Sequence, residues 1–360
     1  MANYNSPPMR FNSVDTLRGI TVAAMLLVNN PGDWGHVYWP LLHAQWHGIT
    51  PTDLIFPFFL FIVGVSIALG IVPRVETGAD PATLRRTIWI RAAKIIGLGL
   101  LLHLLAFWLL DKPWFRPWGV LQRIGLCFAV AGMAALYVRP RAQWIFIAVA
   151  LLGYWALLAV SGGYVPLTNL ASRIDAALLG PMAYQFDAAT GRGHEPEGLL
   201  STLPAIATTL LGLRAGEWLR HAQLWRLLVI GVALSVMGWL WAPLFPINKN
   251  LWTSSYVLLT GGCAMLALAL SHVLIDRYRW PAWGRSFGVN AIAAYAGSAA
   301  MVLLFAGLGW WEPIYRVGFA NWMTPLFGPY LPSLAFALTF VLFWWGVVRW
   351  MDRHRWYLKV

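Results

Sequence analysis

Long apolar runs alternate with short polar stretches along the whole chain. Leu54 to Val72, Ile95 to Leu110, Ala142 to Val160, Leu227 to Leu244, Ser255 to Leu274 and Ala335 to Val348 are the clearest runs. Each meets or approaches the roughly 20 residues that a helix needs to cross a hydrocarbon core about 30 Å thick. The pattern predicts helices near 13–30, 53–72, 88–110, 119–138, 142–161, 198–216, 226–244, 252–274, 286–308 and 331–350. The expected fold is all-α, a polytopic integral membrane protein with about ten transmembrane helices in one domain over 1–360. Four longer connections, about 31–52, 161–197, 245–251 and 309–330, fall on one side of such a bundle.

Composition agrees with this pattern. Hydrophobic residues make up 59% of the chain and charged residues 11%, against about a quarter charged in a soluble domain. The 23 Trp and 18 Phe suit aromatic belts at two membrane–water interfaces. The formal net charge is +12, and 19 of the 26 Lys and Arg fall on one side of the predicted spans. That side includes Arg10, Arg18, Arg74, Arg85, Arg86, Arg91, Lys94 and Lys359. By the positive-inside bias the expected placement is a multi-pass protein of the bacterial inner membrane with both termini in the cytoplasm. Basic residues scattered over separate loops form no nucleic-acid surface. Cys127 and Cys263 both fall in predicted helices, so neither a disulfide framework nor a thiolate metal site is expected. The first apolar run is preceded by polar residues and followed by Asn29-Asn30-Pro31, which marks it as a retained helix and not a cleaved signal.

The 14 Asp and Glu all fall in loops or at helix ends. A proton-coupled transporter generally needs an ionisable relay inside the bilayer, so this distribution counts against one. The connection 31–52 holds His36, His43 and His47, with Asn29 before it and Thr52-Asp53 after it. Imidazole suits proton transfer at neutral pH, an Asn amide can donate to an oxyanion, and an Asp can fix the imidazole tautomer. On the residues alone the plainer reading leads. Thr52 and Asp53 cap the next helix, and the His-Trp pairs anchor it at the interface. No metal is expected, because spacings of seven and four between the histidines match no standard zinc pattern.

Six segments in order shift that balance. They are Ser13-Val14-Asp15-Thr16-Leu17-Arg18-Gly19 with Val28-Asn29, His43-Ala44-Gln45-Trp46-His47-Gly48, and Thr52-Asp53-Leu54-Ile55-Phe56-Pro57 with Phe61-Ile62-Val63-Gly64. The others are Gly119-Val120-Leu121-Gln122-Arg123-Ile124-Gly125, Pro196-Glu197-Gly198-Leu199-Leu200-Ser201-Thr202 and Asn248-Lys249-Asn250-Leu251-Trp252. Together they resemble the transmembrane acyltransferase family of lysosomal heparan-α-glucosaminide N-acetyltransferase. The resemblance implies acetyl-CoA as acyl donor on the cytoplasmic side and a glucosamine acceptor on the far side. It also implies a catalytic histidine at His43 and an asparagine at Asn29, with Asp53 orienting an imidazole. The chain departs from the lysosomal enzyme in lacking its luminal N-terminal region, in having His47 where that enzyme has Asn, and in one helix fewer. The acyl-transfer core is untouched by these departures. The expected acceptor becomes free glucosamine, or a fragment of chitin or peptidoglycan, in place of heparan sulfate.

Other polar residues carry two readings each. Lys249 and Arg123 either contact the sugar or the thioester, or snorkel to the interface. Asn248 and Asn250 either bind sugar hydroxyls or cap the following helix. Glu197, and less so Asp175, would bind a cationic amino sugar. Arg18 is the expected phosphate ligand for CoA, with an ion pair to Asp15 as its structural alternative. His103, His272 and Asn290 read as packing groups. The expected function is transfer of acetyl from acetyl-CoA to an amino sugar, with His47, Asn248, Lys249, Asn250 and Glu197 at the acceptor and Arg18 and Arg123 at the donor. The alternative is a transporter of a sugar or lipid-linked sugar. Expected partners are acetyl-CoA, an amino sugar and membrane lipid, with a homodimer left open and nucleic acid excluded.

Overall fold

The computed structural model describes residues 11–358; Arg10 and Lys359, counted above with the basic side, lie outside them. The long helices are α1 (Asn12–Asn29), α2 (Ile55–Gly70), α3 (Pro81–Leu109), α4 (Val120–Tyr137), α5 (Pro140–Val160) and α6 (Leu170–Leu179). They continue as α7 (Leu199–Arg220), α8 (Leu224–Trp241), α9 (Ser254–Ser271), α10 (Ala291–Gly307) and α11 (Tyr330–Arg353). Local chemistry sets several starts. Asp80 accepts from the backbone N–H groups of Ala82 and Thr83, with Pro81 in the first turn, where its missing N–H costs nothing. Pro140 opens α5 in the same way. Asn169 caps α6 by accepting from Ser172 N.

Among the described residues, 8 helices are long and apolar enough to cross a membrane, or 9 if one bent pair counts as a single span. The sequence pattern suggested about ten, and the difference has two causes. The span expected at 13–30 is α1, whose first two turns carry Asn12, Ser13, Asp15, Thr16 and Arg18, so its apolar stretch is short. The span expected at 286–308 breaks at Asn290 and continues beyond Gly307 into a helical segment, Trp311–Phe327, bent by 100°. The stretch 309–330 is therefore largely helical, where the sequence suggested a loop.

At the centre of the bundle lies α7, with 83% of its apolar window buried, against 17% for α3 at the periphery. α2 packs along α7 at backbone distance. A methyl on Gly64 would run into the carbonyl of Thr209, and one on Gly212 into the carbonyl of Phe61. Small residues at such crossings let helices associate where lipid removes the hydrophobic drive. The 161–197 connection is ordered too. It folds into α6 and a hairpin of β1 (Gln185–Asp187) and β2 (Arg192–His194), antiparallel with Phe186 opposite Gly193.

Candidate active site

His43, Asp53 and Lys249 meet at the end of the bundle where α2 begins. Nδ1 of His43 lies 2.7 Å from Oδ1 of Asp53. A carboxylate accepts, so Nδ1 carries the hydrogen and Nε2 presents its lone pair. Nζ of Lys249 stands 3.0 Å from that Nε2 and 3.3 Å from Nδ1, so it lies beside the ring and off the lone-pair axis. The His43 side chain is 45% exposed while that of Asp53 is 1% exposed, so the imidazole is reachable and its partner is fixed. Oδ2 of Asp53 accepts from Thr50 N at 2.9 Å and from Ala44 N at 3.1 Å. Thr50 and Asp53 form a capping box on the turn Pro51–Leu54. The two oxygens of Asp53 thus serve different partners, one the His43 ring and the other the backbone of the turn.

Bonds from distant segments hold this arrangement. Gly48 donates to the carbonyl of Ile247 at 2.8 Å, the Tyr256 hydroxyl to the carbonyl of Asp53 at 2.6 Å, and the Trp46 indole to the carbonyl of Tyr164 at 2.8 Å. His47 Nδ1 lies 3.3 Å from Asn248 Nδ2, and burial lowers the His47 pKa. Asn248 is buried, and its Oδ1 accepts from Leu251 N at 2.8 Å, so it shapes the turn that presents Lys249. Asn250 makes no hydrogen bond to another described residue. Burial lowers the Lys249 pKa, with the charges of Glu197 and Asp53 opposing that shift.

A buried charge cluster adjoins Lys249. Arg116 pairs with both Glu195 and Glu197, the latter at 2.9 Å. Burial opposes ionisation of Glu197, but Arg116, Arg123 and Lys249 outweigh it and hold the carboxyl below its ordinary value. Burial raises Glu195 to about 7. Behind this pair, His194 Nδ1 lies 3.0 Å from the Ser172 hydroxyl and 3.9 Å from Asp175. Desolvation raises Asp175 to about 6 and lowers His194 to about 4. Trp46 stands edge-on to His194 with ring centres 5.3 Å apart. Arg123 is fully buried; it bonds the Gly198 carbonyl and Ser201, and lies over the Trp252 ring at 5.2 Å.

Two cavities run between α1, α3, α4 and α10. One, of about 300 Å³, is lined by Asn29, Asn30, His103, Arg116, Gln122 and Tyr295 among others. The second, of about 310 Å³, is lined by Arg18, Ser66, Arg91, Phe128 and Leu358 among others. Leu121 lines both. Asn29 and Arg18 are 11 residues apart on α1, about 16 Å along a helix. Arg18 bonds Ser66 at 2.8 Å and the Gly288 carbonyl at 3.0 Å, and pairs with Asp15 at 3.1 Å. Asn29 thus lies in the first cavity, whereas His43 stands with Lys249 beyond Arg116 and Glu197 and is not among the lining residues. Arg123 lines neither cavity.

Arg116 and His103 did not stand out in the sequence. The only signal for Arg116 was the Glu195-Pro196-Glu197 acidic pair, since two buried carboxylates need a cation. His103 looked like a packing group because it sits in an apolar helix. Its Nδ1 lies 2.6 Å from the Arg116 carbonyl, which fixes the hydrogen on Nδ1. Gln122 Oε1 is buried with no partner among the described residues, a cost of about 1–3 kcal/mol when left unmet. Among the described residues no group of three or more His, Cys, Asp or Glu is placed to hold a metal.

Fold and site together define a multi-pass membrane protein with a His-Asp-Lys centre beside a pair of intramembrane cavities. The family model described as heparan-alpha-glucosaminide N-acetyltransferase, catalytic, matches residues 10–239. The chain is 31% identical to the heparan-alpha-glucosaminide N-acetyltransferase of Homo sapiens, over 81% of this chain and 53% of that protein. It is 30% identical to the Mus musculus protein of that name, over 80% of this chain and 53% of that protein. The chain belongs to the heparan-alpha-glucosaminide N-acetyltransferase family. It spans about half the length of the curated relatives it matches.

Proposed function

We propose that the chain is a membrane-embedded N-acetyltransferase that moves acetyl from acetyl-CoA to the amine of glucosamine or a glucosamine-containing sugar. The observation that carries this reading is the Asp53–His43–Lys249 arrangement in a chain of this family. With Nδ1 committed to Asp53, Nε2 of His43 is the site that takes a proton from the attacking amine. In the resting arrangement the Lys249 ammonium stands within 3.3 Å of both ring nitrogens, off the axis of the Nε2 lone pair. That lone pair is open to an incoming amine, and the cation beside it faces the thioester oxygen as negative charge develops there. The amine nitrogen forms a bond to the acetyl carbon, the C–S bond breaks, and the amine proton passes to His43 and from it to the departing sulfur, so CoA leaves as its thiol.

Donor and acceptor approach from opposite ends. The cavity lined by Arg18 and Arg91 suits phosphates, for which guanidinium geometry is well matched. The positive-inside distribution puts that end in the cytoplasm and the His43 end across the membrane. Asn29, in the far cavity, is the amide donor to the developing oxyanion. Arg123, enclosed against Ser201, serves the framework and not CoA.

CoA-thiol release by the detergent-solubilised chain, given acetyl-CoA with and without glucosamine, tests the reading for wild type and His43→Ala. Glucosamine-dependent release that disappears in the variant is the expected result. No turnover, with sugar uptake into liposomes holding wild type, overturns it in favour of transport.

A further inference from the structure

His103 and Gln122 leave two hydrogen-bond acceptors unmet in the cavity that Asn29 lines. The Arg116 carbonyl can only accept, so His103 Nδ1 carries the hydrogen across their 2.6 Å contact. Nε2 of the neutral ring is then an acceptor, and no described residue donates to it. The Pro117 carbonyl can also only accept, so the amide nitrogen of Gln122 faces it at 3.3 Å. Oε1 therefore points away, buried, and without a donor among the described residues. Both acceptors surround one glycine. A methyl on Gly119 would sit 2.9 Å from His103 Nε2 and 3.5 Å from Gln122 Oε1, so the acceptors lie within 6.4 Å of each other, the sum of the two distances. A methyl on Gly99, which also lines the cavity, would lie 2.6 Å from the same Oε1. Glycine at both positions permits the close approach of backbone that brings these two acceptors together.

We propose that His103 Nε2 and Gln122 Oε1 form a subsite for the acceptor, each taking a hydrogen bond from one of two neighbouring hydroxyl groups of an amino sugar whose amine is left for His43. This rests on the acetyltransferase reading for the identity of the ligand. The acyl donor also carries N–H groups on its pantetheine arm, but its two amide nitrogens are four bonds apart on a flexible chain. A vicinal pair of sugar hydroxyls brings two donors on adjacent carbons, which fits two acceptors no more than 6.4 Å apart. The subsite also lies on the Asn29 side of Leu121, away from Arg18.

Isothermal titration of the full chain in detergent, with glucosamine and with pantetheine as separate probes, tests this. Gln122→Met removes Oε1 at nearly constant volume. His103→Asn removes Nε2 and keeps a side-chain N–H for the Arg116 carbonyl. At least tenfold weaker glucosamine binding is expected in each variant, with pantetheine binding unchanged. The melting temperature of Gln122→Met is expected to equal or exceed that of wild type, because an unmet buried carbonyl is gone. The proposal is overturned if wild type does not bind glucosamine, if both variants bind it as wild type does, or if pantetheine binding falls instead. A wild type that binds glucosamine through Gln122 but releases no CoA removes the transferase reading and leaves the subsite standing.

Discussion

Oδ1 of Asp53 lies 2.7 Å from Nδ1 of His43, while its Oδ2 accepts the backbone N–H of Thr50 at 2.9 Å. The His43 contact and the start of the next helix therefore share one carboxylate. Asp53→Asn keeps the size of the side chain but presents an N–H to one of these partners. CoA-release turnover is expected to drop by roughly 10²–10⁴-fold as the imidazole loses its tautomer. Thermal denaturation is expected to show about 1 kcal/mol of lost stability from the cap. A variant with full turnover would separate Asp53 from the chemistry.

Lys249 offers a sharper contrast, since it touches His43 and nothing in the helix framework bonds its ammonium. Lys249→Met is expected to lower turnover by roughly 10–100-fold, in the range seen when one charge-stabilising donor is lost, while the melting temperature stays close to that of wild type. Steady-state kinetics paired with a melting curve read both quantities. A large drop in melting temperature would make Lys249 a structural cation instead.

Asp175 and His194 set opposing slopes on stability. The Asp175 pKa rises from 3.8 to about 6 on folding, so its contribution is complete below pH 4 and is lost as pH rises through about 6. The His194 pKa falls from 6.5 to about 4, so the folded state refuses a proton that the unfolded state takes, and stability is gained as pH rises over the same window. Each shift of about two units corresponds to roughly 3 kcal/mol. Glu195, also raised by burial, adds to the Asp175 slope in wild type and in the variant alike. Relative to wild type, the melting temperature of Asp175→Asn is therefore expected to move upward with rising pH between pH 4 and 6.5. Parallel profiles for the two proteins would contradict the assignment.

Gly212→Ala drives a methyl into the carbonyl of Phe61. Overpacking of this kind costs about 1–3 kcal/mol. Gly153→Ala meets nothing within 4 Å and is expected to leave the melting temperature unchanged. Equal behaviour of the two variants would show that α2 and α7 separate at little cost.

Apolar run length located most helices, because a span is fixed by the membrane's thickness and leaves a one-dimensional trace. It overstated the polar-ended α1 and the segment bent at Gly307, where length alone says nothing of direction. The His43–Asp53 pair was visible because ten residues separate its members and both flank one connection. Asn248 was readable only as sugar ligand or cap, whereas its bond to Leu251 N makes it a turn residue five positions before Thr253, where the next helix is capped. The roles of Arg116, His103 and Gln122 depend on which helices face each other across the bundle, and no local pattern encodes that.

Lys249 reaches His43 across 206 residues of chain, and Tyr256 reaches Asp53 across 203. At roughly 5–20 residues per second of synthesis, the loop that carries His43 waits on the order of 10–40 s for the partners that hold it. A ribosome that stalls anywhere in that interval leaves a chain with several spans already formed and no assembled His43–Lys249 contact.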